Sequence, residues 1–232
     1  MDFTKFVALL DSKSLYFCRA DKLGDPFEGT LPRIRSQAYR HSLQAGTGAT
    51  TSEKLREAEI EDFDFRRRQR LCTGVNCWHM NRTESAGMWR LYAKSNEAVA
   101  ITTTATSLAQ QFDDLAHIGA VQYVDYAAEG YDESNILAPF FHKRLSFAHE
   151  SEVRVVLQAF STDENGFAFV DEEVLSEDGG FDHPIKLEDV IHSVHVAPTS
   201  PTWYFKLVER VCEQYELNAP VHRSELDAEP LK

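Results

Sequence analysis

The stretch FAHESEVRVVL, residues 147–157, sets two glutamates and an arginine at alternate positions beside a run of valines. Read as a strand, it places Glu150, Glu152 and Arg154 on one face. Ser151, Val153, Val155 and Leu157 fall on the other, because strand side chains alternate. The apolar face gives a sheet its core side. The charged face is either solvated or the floor of a site. Two carboxylates on one face repel, so one pKa rises unless cations compensate. Arg154 comes next on that face, which predicts a two-pronged pairing with a carboxylate. An exposed ion ladder would add only roughly 0–1 kcal/mol per pair. The lead-in FHKR adds His142, Lys143 and Arg144, with His149 following. Cations this close to paired carboxylates make a site more plausible than on an ordinary charged strand, and leave site and surface decoration about equally placed.

Outward from this strand, short helices and strands alternate irregularly. FTKFVALL (3–10) has helical spacing, and SLYF (14–17) reads as a strand. Gly24, Pro26, Gly29 and Pro32 break regular structure after it. A small-residue loop at 44–54 precedes a charged helix from Thr51 or Ser52 to Leu71. TGVNCWHM (73–80) reads as a strand. TESAGMWRLYA (83–93) reads as a helix with Thr83 as its N-cap. Strands follow at 97–104 and 118–124, with a helix at 106–116 between them. ILAPFFHKRLSF (136–147) reads as helical around its proline. Strands are expected at 166–170 and 192–198. SPTWYFKLVERVCEQYEL (200–217) reads as a helix capped by Ser200, with Pro201 at its first position. This order is not strict βαβ, and it predicts an α+β fold. With no repeat and no linker, one domain over 1–232 is expected, a mixed, mainly antiparallel sheet flanked by helices.

The 232 residues carry a net charge of -13, 43% hydrophobic residues and 15 Phe, the composition of a folded protein. The negative charge argues against generic binding to nucleic-acid backbone. FRRRQR (65–70) follows an acidic run and reads as a charge-mixed helix face. No apolar stretch approaches the ~20 residues that span a bilayer. The N-terminus is too acidic for a secretory signal, so a cytoplasmic location is expected. Cys18, Cys72, Cys77 and Cys212 form no C-x-x-C pair. Reduced thiols are expected, with no zinc site.

Three stretches carry candidate chemistry. LYFCRADKLGDPFEG ends a strand in Arg19 and holds Asp21, Asp25 and Glu28 in a turn. Pro26 forces Asp25 out of the helical region, so Asp25 is placed either to cap its turn or to serve a site. In VNCWHMNRTESAGMWRLYA, Ser85, Met88, Trp89 and Tyr92 share a helix face. Trp78 and His79 point to opposite sides of the strand before it. A flat ligand could stack on Trp78 or Tyr92 and bond to Ser85 or His79, although an aromatic stripe is more often core. The third stretch is the charged strand itself. The dinucleotide loop G-x-G-x-x-G, the phosphate loop G-x-x-x-x-G-K-[ST] and the serine-hydrolase elbow G-x-S-x-G are all absent.

Together LYFCRADKLGDPFEG, CWHMNRTESAGMWRLY and KRLSFAHESEVR resemble a bacterial family with no assigned function, marked by D-P-F-E, M-W-x-x-Y and E-x-E-x-R. The likeness covers most of the chain. Members of that family have a short strand before the first helix, ending in a tyrosine–arginine-like pair. Here the chain starts almost directly in that helix, so it is either trimmed or begins downstream of the usual start. At the level of fold alone, the element order is similar to that of ADP-ribosyltransferases. That likeness implies NAD as cofactor, Glu152 as the key carboxylate and Glu150 as its helper. It implies Tyr92 or Trp78 as the stacking ring, Arg19 or His79 as the cofactor clamp, and a toxin or defence effector acting on another molecule.

Two other readings compete. Asp25, Glu28, Glu150 and Glu152 converging on Mg²⁺ would make a metal-dependent hydrolase or nuclease, with Arg154 competing against the ion. A charge network that only holds the fold would leave a non-catalytic recognition module.

Overall fold

The computed structural model describes residues 1–32, 52–112, 116–131, 135–158, 160–162, 168–170 and 179–230. Most of the loop expected at 44–54, and parts of the elements expected at 106–116 and 166–170, lie outside these residues. In chain order the elements are α1 (Phe3–Ser12), β1 (Ser14–Arg19), α2 (Ser52–Cys72), β2 (Thr73–His79), α3 (Ala86–Tyr92), β3 (Val99–Thr102), α4 (Ala105–Ala109), β4 (His117–Ala120), β5 (Gln122–Val124), β6 (His142–Arg144), β7 (Glu152–Gln158), β8 (Phe160–Thr162), β9 (Ala168–Val170), β10 (Gly180–Pro184), α5 (Leu187–Val190), β11 (Ser193–Val196), α6 (Thr202–Gln214) and β12 (Val221–Arg223). The fold is α+β. Its main sheet has five strands in the order β10-β1-β2-β7-β4, and smaller sheets accompany it.

By contacts the chain divides into two compact units, each built from separated segments. The first holds residues 1–16, 81–114 and 182–232. Its sheet runs β12-β11-β3, with β11 parallel to β12 and antiparallel to β3. Helix α1 buries Phe6 and Leu10, one turn apart, and ends at Lys13 with φ 50°. Helix α6 buries Tyr204, Val208 and Cys212 at four-residue spacing, the apolar stripe of a surface helix. Its start differs from the sequence expectation. Pro201 is the extended cap residue, and Ser200 Oγ donates instead to Asn96 O at 2.6 Å and Ala197 O at 2.5 Å. A hydroxyl satisfied by those carbonyls does not cap the helix.

The second unit holds residues 17–80 and 115–181. Strands β2 and β7 pair antiparallel over seven residues, from Thr73 opposite Gln158 to His79 opposite Glu152. Val75, Val156, Leu137, Phe140 and Ala20 form a core cluster there. Gly74 admits no side chain, because a Cβ would meet the Phe181 ring, which stacks on Phe17 at 5.4 Å. Helix α2 begins at Ser52 as expected, and Arg66 Nε donates to Asp62 Oδ2 at 2.9 Å along its charge-mixed face.

Three expectations fail here, each for a local reason. The strand expected over 118–124 is two strands. The chain turns at Val121, whose N–H donates to Glu152 O at 2.9 Å. This lets β4 pair with β7 while β5 pairs in parallel with β6. The helix expected over 136–147 is a 3₁₀ turn, Ala138–Phe140, followed by β6, so Lys143 and Arg144 lie on a strand. The charged strand begins at Glu152, not Phe147. Leu145–Glu150 is a 3₁₀ turn closed by Ser151 at φ 42°. Among the described residues no helix is long and apolar enough to cross a membrane.

Candidate functional site

Arg154 is the centre of the second unit's charge network. It lies mid-strand on β7 and is fully buried. Nε donates to Glu152 Oε2 at 2.6 Å, Nη1 to Phe140 O at 2.9 Å, and Nη2 to Glu28 Oε2. Each nitrogen of the guanidinium thus has a separate acceptor. The two-pronged pairing expected of Arg154 is made instead by Arg144, whose Nε and Nη2 grip both oxygens of Asp25 at 2.9 and 2.8 Å. Asp25 also accepts from Phe27 N at 3.1 Å, so it caps its own turn while holding the arginine. The Phe27 ring lies 4.5 Å from the Arg144 guanidinium carbon.

Lys143 joins the remaining carboxylates. Its Nζ donates to Glu150 Oε2 at 2.5 Å and Glu152 Oε1 at 2.7 Å, and lies 3.4 Å from Glu28 Oε1. Four carboxyl groups, Asp25, Glu28, Glu150 and Glu152, therefore meet three cations, Lys143, Arg144 and Arg154. The surplus is one negative charge, and a single proton removes it. Burial and the hydrogen bond with Glu152 push the Glu150 carboxyl above its ordinary value. Burial would raise Glu152 too, but the bond from Glu150 and the charges of Arg154 and Lys143 outweigh it and hold it well below the usual range. Burial opposes charge on Lys143 and Arg154, yet the surrounding carboxylates push both above their ordinary values. The two shifts are therefore opposed, and Glu150 is the member of the pair on which burial and Glu152 favour a proton. Glu152 is also pinned by its backbone, since its N–H donates to Tyr123 Oη and its carbonyl accepts from Val121, both at 2.9 Å.

The residues singled out from sequence divide as follows. Glu150 and Glu152 meet as expected, although Glu150 reaches the cluster from a turn and not from the strand. His79 joins them: Nδ1 lies 2.6 Å from Glu150 O, and Nε2 is a buried nitrogen with no hydrogen-bond partner. Cys77 lies opposite Arg154 on the same strand face as His79. Its thiol is exposed, yet crowding by protein atoms is the largest influence raising its pKa. Trp78 alternates to the other face, with Nε1 donating to Asn76 Oδ1 at 2.5 Å. Arg19 pairs with Asp21 at 2.5 Å at the end of β1. Ser85 and Tyr92 belong to the first unit. There Ser85, not Thr83, caps α3 by accepting from Met88 N at 3.3 Å, and Tyr92 is exposed.

The four carboxylates proposed for Mg²⁺ do gather in part, but around an ammonium and two guanidinium groups. Among the described residues no group of three or more His, Cys, Asp and Glu is placed to hold a metal ion. Tyr123 and the Phe140 carbonyl were not legible as parts of the cluster, since neither stands in a charged motif. The chain matches no family model, no curated protein and no solved structure.

Proposed function

We propose that the second unit catalyses NAD-dependent ADP-ribosyl transfer, with Glu152 as the carboxylate that stabilises the developing cation at the ribose. The observation that carries this reading is the condition of Glu152: a carboxylate held well below its ordinary pKa and fixed at side chain and backbone, near the exposed Cys77 opposite Arg154. So acidic a group is a poor proton acceptor, which removes it as a general base. A fixed anion is suited to a positive charge that appears only as the bond to nicotinamide breaks. Glu150, its pKa shifted upward beside it, supplies the acid–base partner, because pairs with opposed pKa displacements divide such roles. The buried, unpartnered Nε2 of His79 supplies a hydrogen bond to a ribose hydroxyl. The bound ribose loses nicotinamide at its anomeric carbon, and a nucleophile of the target forms the new bond there. On this reading the protein is an effector or toxin modifying another molecule.

One observation favours a second reading, a recognition module held together by ions. Both oxygens of Glu152 are already bonded, to Lys143 and Arg154. Incubation of the full chain with NAD labelled in its adenylate half and with cell extract separates the two. Transfer of label with release of nicotinamide supports the enzyme. Neither product from the folded protein would sink it and leave the module.

A further inference from the structure

Ser193, His195 and Glu84 form a line of polar groups in the first unit. Ser193 and His195 share a face of β11, and Ser193 Oγ lies 2.9 Å from His195 Nε2. The other ring nitrogen, Nδ1, is 3.5 Å from Glu84 Oε1 and is buried with no hydrogen-bond partner. Glu84 is itself fixed. It accepts from Trp89 Nε1 at 3.1 Å, Ser224 Oγ at 2.5 Å and Glu225 N at 3.0 Å. Burial works against its charge, but these donors and His195 hold its pKa below the ordinary value. Thr102 Oγ1 lies 2.5 Å from Ser193 Oγ.

When Nε2 accepts the Ser193 proton, Nδ1 carries the ring proton and faces the Glu84 anion. Catalytic hydrogen bonds of this kind are often long before substrate binds. Such an arrangement is recognised by geometry and roles, so the missing G-x-S-x-G elbow excludes one fold and not the chemistry.

We propose that Ser193 is a nucleophile that hydrolyses carboxylic esters, with His195 as its base and Glu84 as the residue that positions His195. Ser193 Oγ bonds to the carbonyl carbon, and its proton passes to His195 Nε2. That proton goes on to the leaving alcohol as the ester C–O bond breaks. Water then attacks the acyl-serine, gives a proton to the same nitrogen, and the proton returns to Ser193 as the acid departs. The Thr102 hydroxyl is close enough to donate to the carbonyl oxygen. None of this depends on NAD chemistry in the second unit.

The test uses a fluorophosphonate probe on the full chain, with p-nitrophenyl acetate as ester. Ser193 Oγ displaces fluoride from phosphorus, and tandem mass spectrometry locates the adduct. The expected result is an adduct on Ser193 that Ser193→Ala abolishes. His195→Ala slows labelling on the order of 10²-fold or more, the scale of a general base. Glu84→Gln slows both labelling and ester hydrolysis. Ser107→Ala, whose hydroxyl meets His192 Nε2 at 2.9 Å, leaves both unchanged. Wild-type protein with no adduct on Ser193 overturns the proposal, as does equal labelling in a folded His195→Ala. Should that variant not fold, the wild type decides: Ser193 labelled no faster than the chain's other serines overturns it as well.

Discussion

Glu150 and Glu152 bring their carboxyl groups to one ammonium, Lys143 Nζ, at 2.5 and 2.7 Å, although the residue between them turns the chain through the left-handed region. On a continuous strand the two side chains would stand side by side, and their repulsion would be met by whatever cations lay on that face. The turn instead presents Glu150 from the chain end of a 3₁₀ segment. The two carboxyls then part company, the pKa of Glu150 shifted up and that of Glu152 held down.

That division predicts an asymmetry between two conservative substitutions. Glu150→Gln replaces the carboxyl whose pKa is raised with an amide that can donate toward Glu152, so unfolding free energy changes by no more than about 1 kcal/mol. Glu152→Gln strips the anion from Arg154 and Lys143, which are buried. Breaking a buried pair on one side costs roughly 3–5 kcal/mol. Urea denaturation of both variants measures the difference, and equal losses would contradict the opposed shifts of the two carboxyls.

The same division fixes the dependence on pH. Glu152 has its pKa depressed on folding, so its contribution is present above the unfolded value of about 4.3 and is lost as pH falls. Glu150 has its pKa raised. Its contribution is complete below the unfolded value and is lost as pH rises through the folded one. Stability of the wild type should therefore decline on the alkaline side of the acid range, and Glu150→Gln should remove that decline. Denaturation curves from pH 4 to 8 check this, and superimposable profiles for the two proteins would refute it.

Much of the cluster was legible because it rests on local patterns. The alternation from Glu152 to Leu157 marks a strand whatever its surroundings, and D-P-F-E announces a turn that fixes carboxylates. The rest depended on contacts between distant segments. Whether ILAPFFHKRLSF is helix or strand is decided by β5, which pairs with 142–144 and carries no charged signature of its own. Ser151 is an unremarkable residue for a strand, and only the pull of Lys143 and of Met80, whose N–H donates to Ser151 O at 2.8 Å, explains its turn. Ser193 and His195 went unread as a pair because their orienting carboxylate lies more than a hundred residues earlier in the chain.

Arg154 should not tolerate lysine. The substitution keeps the charge but replaces a planar fork, bonded to Glu152, Glu28 and the Phe140 carbonyl, with a single ammonium. At least one charge-assisted hydrogen bond is lost, worth roughly 1.5–3 kcal/mol. Thermal and chemical denaturation of Arg154→Lys measure the loss. A variant as stable as the wild type would show that charge alone, and not the geometry of the fork, holds the cluster.

Ser151 offers the sharpest test of how Glu150 reaches its partners. At φ 42° a non-glycine residue is strained, by about 1–2 kcal/mol. Glycine relieves that strain but gives back roughly 0.5–1 kcal/mol through the freer unfolded chain. Ser151→Gly should therefore be at least as stable as the wild type, with a gain of up to ~1.5 kcal/mol. Ser151→Val places a β-branched side chain where it fits least and should cost ~1–3 kcal/mol. Valine also favours a strand at this position, which would swing Glu150 away from Lys143. In that variant, the alkaline decline in stability assigned to Glu150 should shrink along with the overall loss. Unchanged stability in Ser151→Val would mean that the turn is not what delivers Glu150 to the ammonium.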